Sequence, residues 1–573
     1  MEGISNHFQA QTVPLLPGTK GSCAQQRKCY MIRLKRGSQV LLAVAGIAAL
    51  SLTGCTGPAA GQANVGASGG SLTVGTTDKV TSLDPAGSYD YGSIVVENQI
   101  YPFVLNPKPG SATPVPDLAE TASFTSPTEY TVKLKTGLKW ANGDTLDSTD
   151  VKFSFDRQLK IADPNGPSSL LGNLASVDAP DAATVVFHLK TGNDQTFPQI
   201  LASPAGPIVD HKVFPADRIL SDDEIVKAKA FAGQYTIASY TKNELISFKA
   251  FPGYGGVLGK AATDNVNLKF YADSNNLKLD LQQGNIDVDT ARSQSATDIT
   301  DLKKDGNVKV YTGAGGDSRF LVFNFDTMPF GAKTPQADPK KALAVRQAVA
   351  NLIDRQAIDD QVFKGTFVPD YSFVPQGIPG AKDTLKTQYG DGTGKPSLEK
   401  AKADFAAAGI SGPVSLDLQY NTDHYGKSSS DAFSMIKDQL EKSGLFKVNL
   451  QSTEWVTYVK DKTKDVYPVY QLGWYPDYSE ADNYLTPFFL PTGFLHSHYQ
   501  DAKVTDLITA QVTNPDKASR DAQISEIQDG ITADLPTLPL FQGSQIVVAG
   551  TAVKGVQSTL DASFKFRLGV LSK

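Results

Sequence analysis

Cysteine is almost missing from this 573-residue sequence: Cys23, Cys29 and Cys55 are the three, and none follows position 55. The body beyond that point has no disulfide to rest on, so it needs large apolar cores, which a chain several times the usual domain length can build. A membrane-spanning run is missing too. The apolar stretch from Val40 to Leu52 falls short of the roughly 20 residues that a spanning helix requires. Acids and bases are mixed along the chain at a net charge of −6, which leaves no basic stripe for a phosphate backbone and excludes nucleic acid as a partner. Catalytic signatures are equally scarce. No His-Glu-x-x-His element occurs, and Gly392-Thr393-Gly394-Lys395 fails as a phosphate loop because Tyr389 holds the first glycine position and Pro396 follows the lysine. His496 and His498 read as loop residues, so no metal, no cofactor and no catalytic residue is expected, and the chain is read as a protein that is not an enzyme.

What is present begins with a secretory pattern. Arg33, Lys35 and Arg36 precede the apolar run, which ends at Leu52-Thr53-Gly54-Cys55. Positive region, apolar region and small residues come in the order of an export signal. The ending resembles a bacterial lipobox, which implies lipidation at Cys55 and anchoring to the outer face of the cell membrane. Met31 is the better start, with residues 1–54 as extension and signal. From 55 to 70 the sequence is nearly all Gly, Ala, Ser and Thr, a composition that cannot bury enough apolar area to order itself and reads as a tether.

Strand and helix signals alternate through the rest. Tyr130, Val132 and Leu134 share one face of a strand, as do Val185, Phe187 and Leu189. Between them Asp147 is placed to cap a helix carrying Val151 and Phe155, with Asp150 in its first turn. Asp338-Pro339 opens a helix whose Val345, Ala348, Val349, Leu352 and Ile353 form an apolar stripe. Strands at Val414 to Tyr420, Lys447 to Ser452 and Tyr467 to Gly473 alternate with helices near Ser430 to Lys442 and Glu454 to Lys462. This βαβαβ order predicts a parallel sheet, and open sheets of that kind bind ligands beyond the carboxyl ends of their strands. Trp474-Tyr475-Pro476-Asp477-Tyr478 follows the last of these strands.

An ordered set of landmarks runs from about Ser71 to Lys573: Ser82-Leu83-Asp84-Pro85; Leu134-Lys135-Thr136-Gly137-Leu138-Lys139-Trp140 with Asn142-Gly143-Asp144; Gly233-Gln234-Tyr235; Gln283-Gly284-Asn285-Ile286-Asp287; Asn324 with Pro329-Phe330; Val345-Arg346-Gln347-Ala348; and Ile353-Asp354-Arg355. Together they resemble the family 5 extracellular solute-binding proteins of ABC transporters, which include dipeptide, oligopeptide and nickel binders. The resemblance implies an α/β fold of two lobes, hinged around an interlobe cleft, in the large family 5 variant of the type II periplasmic-binding fold. Lobe one would span 71–318, lobe two 319–535, and 536–573 would return to lobe one. It further implies a monomer that captures short peptides and delivers them to ABC permease subunits.

In peptide-binding members an aspartate three residues after a tryptophan at a strand end receives the ligand's α-ammonium, and Trp474 and Asp477 have that spacing. A carboxylate suits the role, because an ammonium can be desolvated only when paired. On the residues alone, Pro476-Asp477 equally fits an ordinary turn. Trp474 and Tyr475 are candidate walls of the ammonium pocket. Tyr89, Asp90 and Tyr91 stand where the resemblance brings lobe one to the cleft, or else form an aromatic turn on their own lobe. Arg319 and His424 are candidates for a ligand carboxylate. The rival readings are a nickel chelate or a sugar in the same fold and, from other classes, an exported hydrolase or an adhesion protein. Missing repeats and the lack of a nucleophile-and-base constellation speak against these last two.

Overall fold

The computed structural model describes residues 71–421, 423–426, 428–562 and 565–573. Cys55, the signal-like segment and the Gly/Ala stretch lie outside the described residues. No helix among the described residues is long and apolar enough to cross a membrane.

Where a cap and an apolar stripe coincide in sequence, the helix forms. Asp147 caps Ser148–Ile161, and Asp150 reaches back to the Asp147 backbone to close a capping box; Val151 and Phe155 are fully buried on its inner face. Asp338 accepts from the N–H groups of Lys340 and Lys341 ahead of Pro339–Leu352, which buries Val345, Ala348 and Val349. Strands with period two behave as simply. Glu129–Leu134 and Thr184–Leu189 pair antiparallel and turn their alternate apolar residues inward, at the centre of a four-stranded sheet edged by Ala119–Ser126 and Leu174–Asp181.

The βαβαβ unit is formed by strands Val414–Asn421, Phe446–Thr453 and Val469–Trp474 with helices Ser428–Lys442 and Trp455–Lys462. The first strand lies between the other two and is parallel to both. Beyond this unit the sheet departs from the parallel expectation. Val469–Trp474 runs antiparallel to Val308–Phe323, with Trp474 opposite Ser318. The reason is that Val308–Phe323 is not a strand of the βαβαβ repeat: it is a long strand preceding it in the chain and pairs along its length with Thr537–Gly550.

That strand and its antiparallel partner Thr537–Gly550 organise the whole molecule. They pair from Val308 opposite Gly550 to Val322 opposite Thr537. At one end they join the βαβαβ unit. At the other, Thr537–Gly550 pairs with Val288–Asp289 and leads to Ser71–Thr76, Asn265–Phe270, Leu245–Ala250 and Tyr235–Thr241, so one eleven-stranded sheet runs through both lobes. The cores are nevertheless separate. One gathers residues between Phe320 and Phe541; another combines residues between Leu72 and Val288 with Val547, Ala549, Val553, Leu568 and Leu571 from the end of the chain; a third fills the four-stranded sheet, from Val104 to Ala232. The register of the two long strands slips between Ala314 and Ser318, between the cores. At Gly315 a Cβ would stand 2.1 Å from the Gly543 carbonyl oxygen, so the backbones cross at a distance only glycine permits.

A buried ion pair fixes the start of lobe one. Arg157 donates to both carboxylate oxygens of Asp84 at 2.8 and 2.6 Å, and both side chains are almost wholly inaccessible. Asp84 also accepts from the N–H groups of Ala86 and Leu220, which completes its solvation inside the protein. Arg157→Met should lower stability to urea by about 3–5 kcal/mol, because the carboxylate is left buried and unpaired. Asp84→Asn combined with Arg157→Met, which removes both charges, should recover part of that loss.

A second buried carboxylate lies beside the long strands. Asp370 accepts from Ser372 N–H and the Ser318 hydroxyl, and burial pushes its pKa up to about 6. A raised carboxyl pKa means that the folded state holds the proton more tightly than the unfolded chain. Its contribution is therefore most favourable below the unfolded value near 4 and is lost as pH rises towards 6. Asp370→Asn should gain about 2–3 kcal/mol over wild type at pH 7 relative to the same comparison at pH 4, read from paired denaturant curves.

Candidate functional site

The strand Val469–Trp474 delivers the chain to the cleft, and a turn through Tyr475 and Pro476 sets Asp477 at its edge, ahead of helix Asp482–Phe489. The turn is held by one buried amide. Asn483 Oδ1 accepts from Trp474 Nε1 at 2.9 Å and from the Asp477 backbone N–H at 3.0 Å, while its Nδ2 donates to Asp477 Oδ2 at 3.2 Å. Indole and carboxylate are thus fixed by the same side chain. From the opposite side Tyr89 donates its hydroxyl to Asp477 Oδ1 at 2.5 Å. Burial and the adjacent Asp477 charge push the Tyr89 pKa up, so the phenol stays a donor.

Two cavities meet at this point. The smaller, about 320 Å³, is lined by Tyr89, Asn98, Asp477, Tyr478 and Lys565 among others. The larger, about 640 Å³, is lined by Asp317, Arg319, His424, Tyr425 and Trp474 among others. Tyr91, Arg292 and Tyr475 border both and form the partition. The Arg292 guanidinium lies 3.7 Å from the centre of the Tyr91 ring, donates to the Tyr475 hydroxyl at 3.0 Å and stands 3.3 Å from an Asp78 oxygen. Cation–π attraction and hydrogen bonds therefore hold a charged side chain between the chambers.

The candidates from the sequence fall into distinct settings. Asp477, Trp474, Tyr475, Tyr89 and Tyr91 all border one or both cavities. Asp90 borders neither. Its carboxylate caps helix Tyr91–Ile100 through Ser93 N–H and accepts from the Thr81 hydroxyl. Arg319 and His424 both line the larger cavity, but neither is an idle cation. Arg319 is paired to Asp317 at 2.8 Å and lies 4.5 Å from the centre of the Tyr425 ring. His424 stacks on Trp455 at 3.9 Å, and burial with the nearby Arg319 charge pushes its pKa down, so near neutral pH it offers hydrogen bonds without charge.

Asn98, Arg292, Asn483 and Lys565 were not among those candidates. Asn98 had a readable signal, since Tyr91, Ile94 and Asn98 follow i, i+3, i+7 spacing along one helix and all reach the smaller cavity. Arg292 and Lys565 come from segments far away in sequence and had none. Two groups elsewhere bring three metal-competent atoms together, Asp150/Asp210/His211 and Asp326/Asp465/His498. Their atoms are already engaged: Asp150 accepts from His211 and closes a helix cap, and Asp465 and Asp326 pair with His498 and Lys333.

The family model "Bacterial extracellular solute-binding proteins, family 5 Middle" matches residues 113–495. Among curated relatives, the oligopeptide-binding protein OppA of Bacillus subtilis is 24% identical over 453 residues, 74% of this chain and 79% of that protein. The dipeptide-binding protein of Escherichia coli is 25% identical over 423 residues, 70% of this chain and 74% of that protein. Among solved structures, HbpA2 from Haemophilus parasuis superposes with a TM-score of 0.75 at 20% identity, over 88% of this chain and 99% of that one. The chain belongs to the bacterial extracellular solute-binding proteins of family 5.

Proposed function

We propose that this protein captures short peptides between its lobes, with Asp477 receiving the α-ammonium, and delivers them to the permease of an ABC importer. The observation that carries this reading is the fixed carboxylate at the cavity edge. Asn483 holds one oxygen of Asp477, and Tyr89, across the cleft, contacts the other. A cationic ligand group reaching that edge finds an oriented anion between aromatic walls, an arrangement that suits a desolvated ammonium. Trp474, Tyr475 and Tyr91 would flank the first residue, and the larger cavity would hold the remainder, with Arg319 and neutral His424 supplying donors. The names of the oligopeptide and dipeptide relatives support the same ligand class.

The change of core along the two long strands supports a lobe limit near 318, and since Leu538, Leu540 and Phe541 still pack in the second core, it favours a return to lobe one a few residues after 535. Closure about the Ala314–Ser318 slip would trap the ligand and present one shape to a permease. The family's extracellular character agrees with export, and lipidation at Cys55 would keep a single receptor copy near its transporter.

Calorimetric titration of defined peptides tests the assignment. Free peptides should bind, and N-acetylated versions should lose about 2–5 kcal/mol, as should free peptides on Asp477→Asn. Equal affinity for free and acetylated peptides would sink the ammonium assignment.

A further inference from the structure

The smaller cavity is charged in a way that the ammonium does not explain. Asp477 is its anion, and at its other groups it has donors to spare. Asn98, 8% exposed, lines the cavity, and its Nδ2 has no hydrogen-bond partner. A buried amide donor left unpaired costs free energy, and because that nitrogen is itself almost inaccessible, a turn of the amide toward the cavity would let an acceptor there relieve the cost. Lys565, 7% exposed, lines the same cavity. Its ammonium donates to the neutral Asn106 Oδ1 at 3.2 Å and lies 4.1 Å from the centre of the Phe103 ring.

The charges around Lys565 are committed elsewhere. Arg567 is paired with Asp561 at 3.0 Å, and Asp117 accepts from Tyr254, from Val257 N–H and from Asn106. Burial, with the neighbouring Arg567 charge, pushes the Lys565 pKa down to about 7 against the opposing charges of Asp117 and Asp561, neither of which is paired directly with it. Arg292 adds a second positive group at the partition.

We infer that the smaller cavity is a subsite for an acidic first residue: the ligand's ammonium on Asp477 and its first side-chain carboxylate on Lys565 and Asn98. The volume admits such a side chain with space left for water or a neighbouring ligand group, since about 320 Å³ is room for roughly ten waters at about 30 Å³ each. A carboxylate there satisfies the orphan Asn98 donor and gives Lys565 its counter-ion. A glutamine of the same shape does only the first.

This inference rests on the Asp477 assignment, and the experiment separates the two. Matched peptides of two to five residues, beginning with Glu or Gln and otherwise alanine, are titrated calorimetrically, each free and N-acetylated. Glu-first peptides should bind about 10- to 100-fold more tightly than Gln-first ones. Lys565→Met should bring that ratio close to one while free peptides still outbind acetylated ones. Asn98→Ala, which leaves the buried cation in place, should weaken Glu-first and Gln-first peptides by a similar factor and keep the ratio, and a far-UV spectrum matching wild type shows that Lys565→Met has folded. Equal binding of Glu-first and Gln-first peptides to wild type, with acetylation still abolishing affinity, overturns the acidic subsite alone. Indifference to acetylation, or no binding by any peptide, overturns the Asp477 assignment and the subsite with it.

Discussion

The antiparallel pairing of Val308–Phe323 with Thr537–Gly550 is the constraint on which the rest of the structure depends. Each strand belongs to two cores in turn, so the lobes are cut from one sheet and cannot drift apart. The slip between Ala314 and Ser318 is where that shared sheet is least regular, and side chains hold the carbonyls there: Tyr484 donates to Gly316 and Gln542 to Gly315. A sheet carries many parallel hydrogen bonds and resists bending along most of its length. Any closure of the lobes would concentrate at the few residues where the ladder is broken.

The same strands place the site. Trp474 sits opposite Ser318, so the end of the βαβαβ unit arrives next to the slip rather than at a remote edge. Tyr91 and Asn98 approach from a helix of the other lobe, and Lys565 from the returning tail. A cleft built from three separated segments can be charged at several points without any one element bearing the whole electrostatic cost. Arg292 shows how this is managed, since an aromatic face, a phenol and a carboxylate share the burden of holding one guanidinium between two chambers.

Features governed by neighbours in sequence were legible without a structure. The caps at Asp147 and Asp338, the alternation in Glu129–Leu134 and the βαβαβ order all follow from local periodicity. The position of Asp477 just past a strand end was legible in the same way, whereas a role for its carboxylate was implied by the family resemblance. The side chains that complete the cavities were not, because their chemistry depends on burial, and burial is decided by distant partners: Lys565 beside Phe103, Asn483 between Trp474 and Asp477. Several sequence landmarks proved to be packing devices. Asp84 is an ion-pair partner, Gly233 admits the Gln99 carbonyl where a Cβ would lie 2.3 Å away, and Arg346 lies 4.2 Å from the Phe325 ring centre. The sheet direction at Val308–Phe323 escaped the pattern because antiparallel neighbours so far apart in sequence leave no local trace.

The returning tail bears on how the chain is made. Leu568 and Leu571 are fully buried in the core that holds Leu72 and Val74, and Thr263 donates to the Leu571 carbonyl. The core of residues 320–541 takes only Ala562 from beyond Phe541, so most of it is available before that tail is synthesised. During translation or export from the N-terminus, the lobe that begins first must therefore wait for the last part of the sequence to close. Its apolar strands stay uncovered while the second lobe is being completed, and loop closure over several hundred residues becomes the slow event. The first lobe to appear is thus the last whose core can be completed.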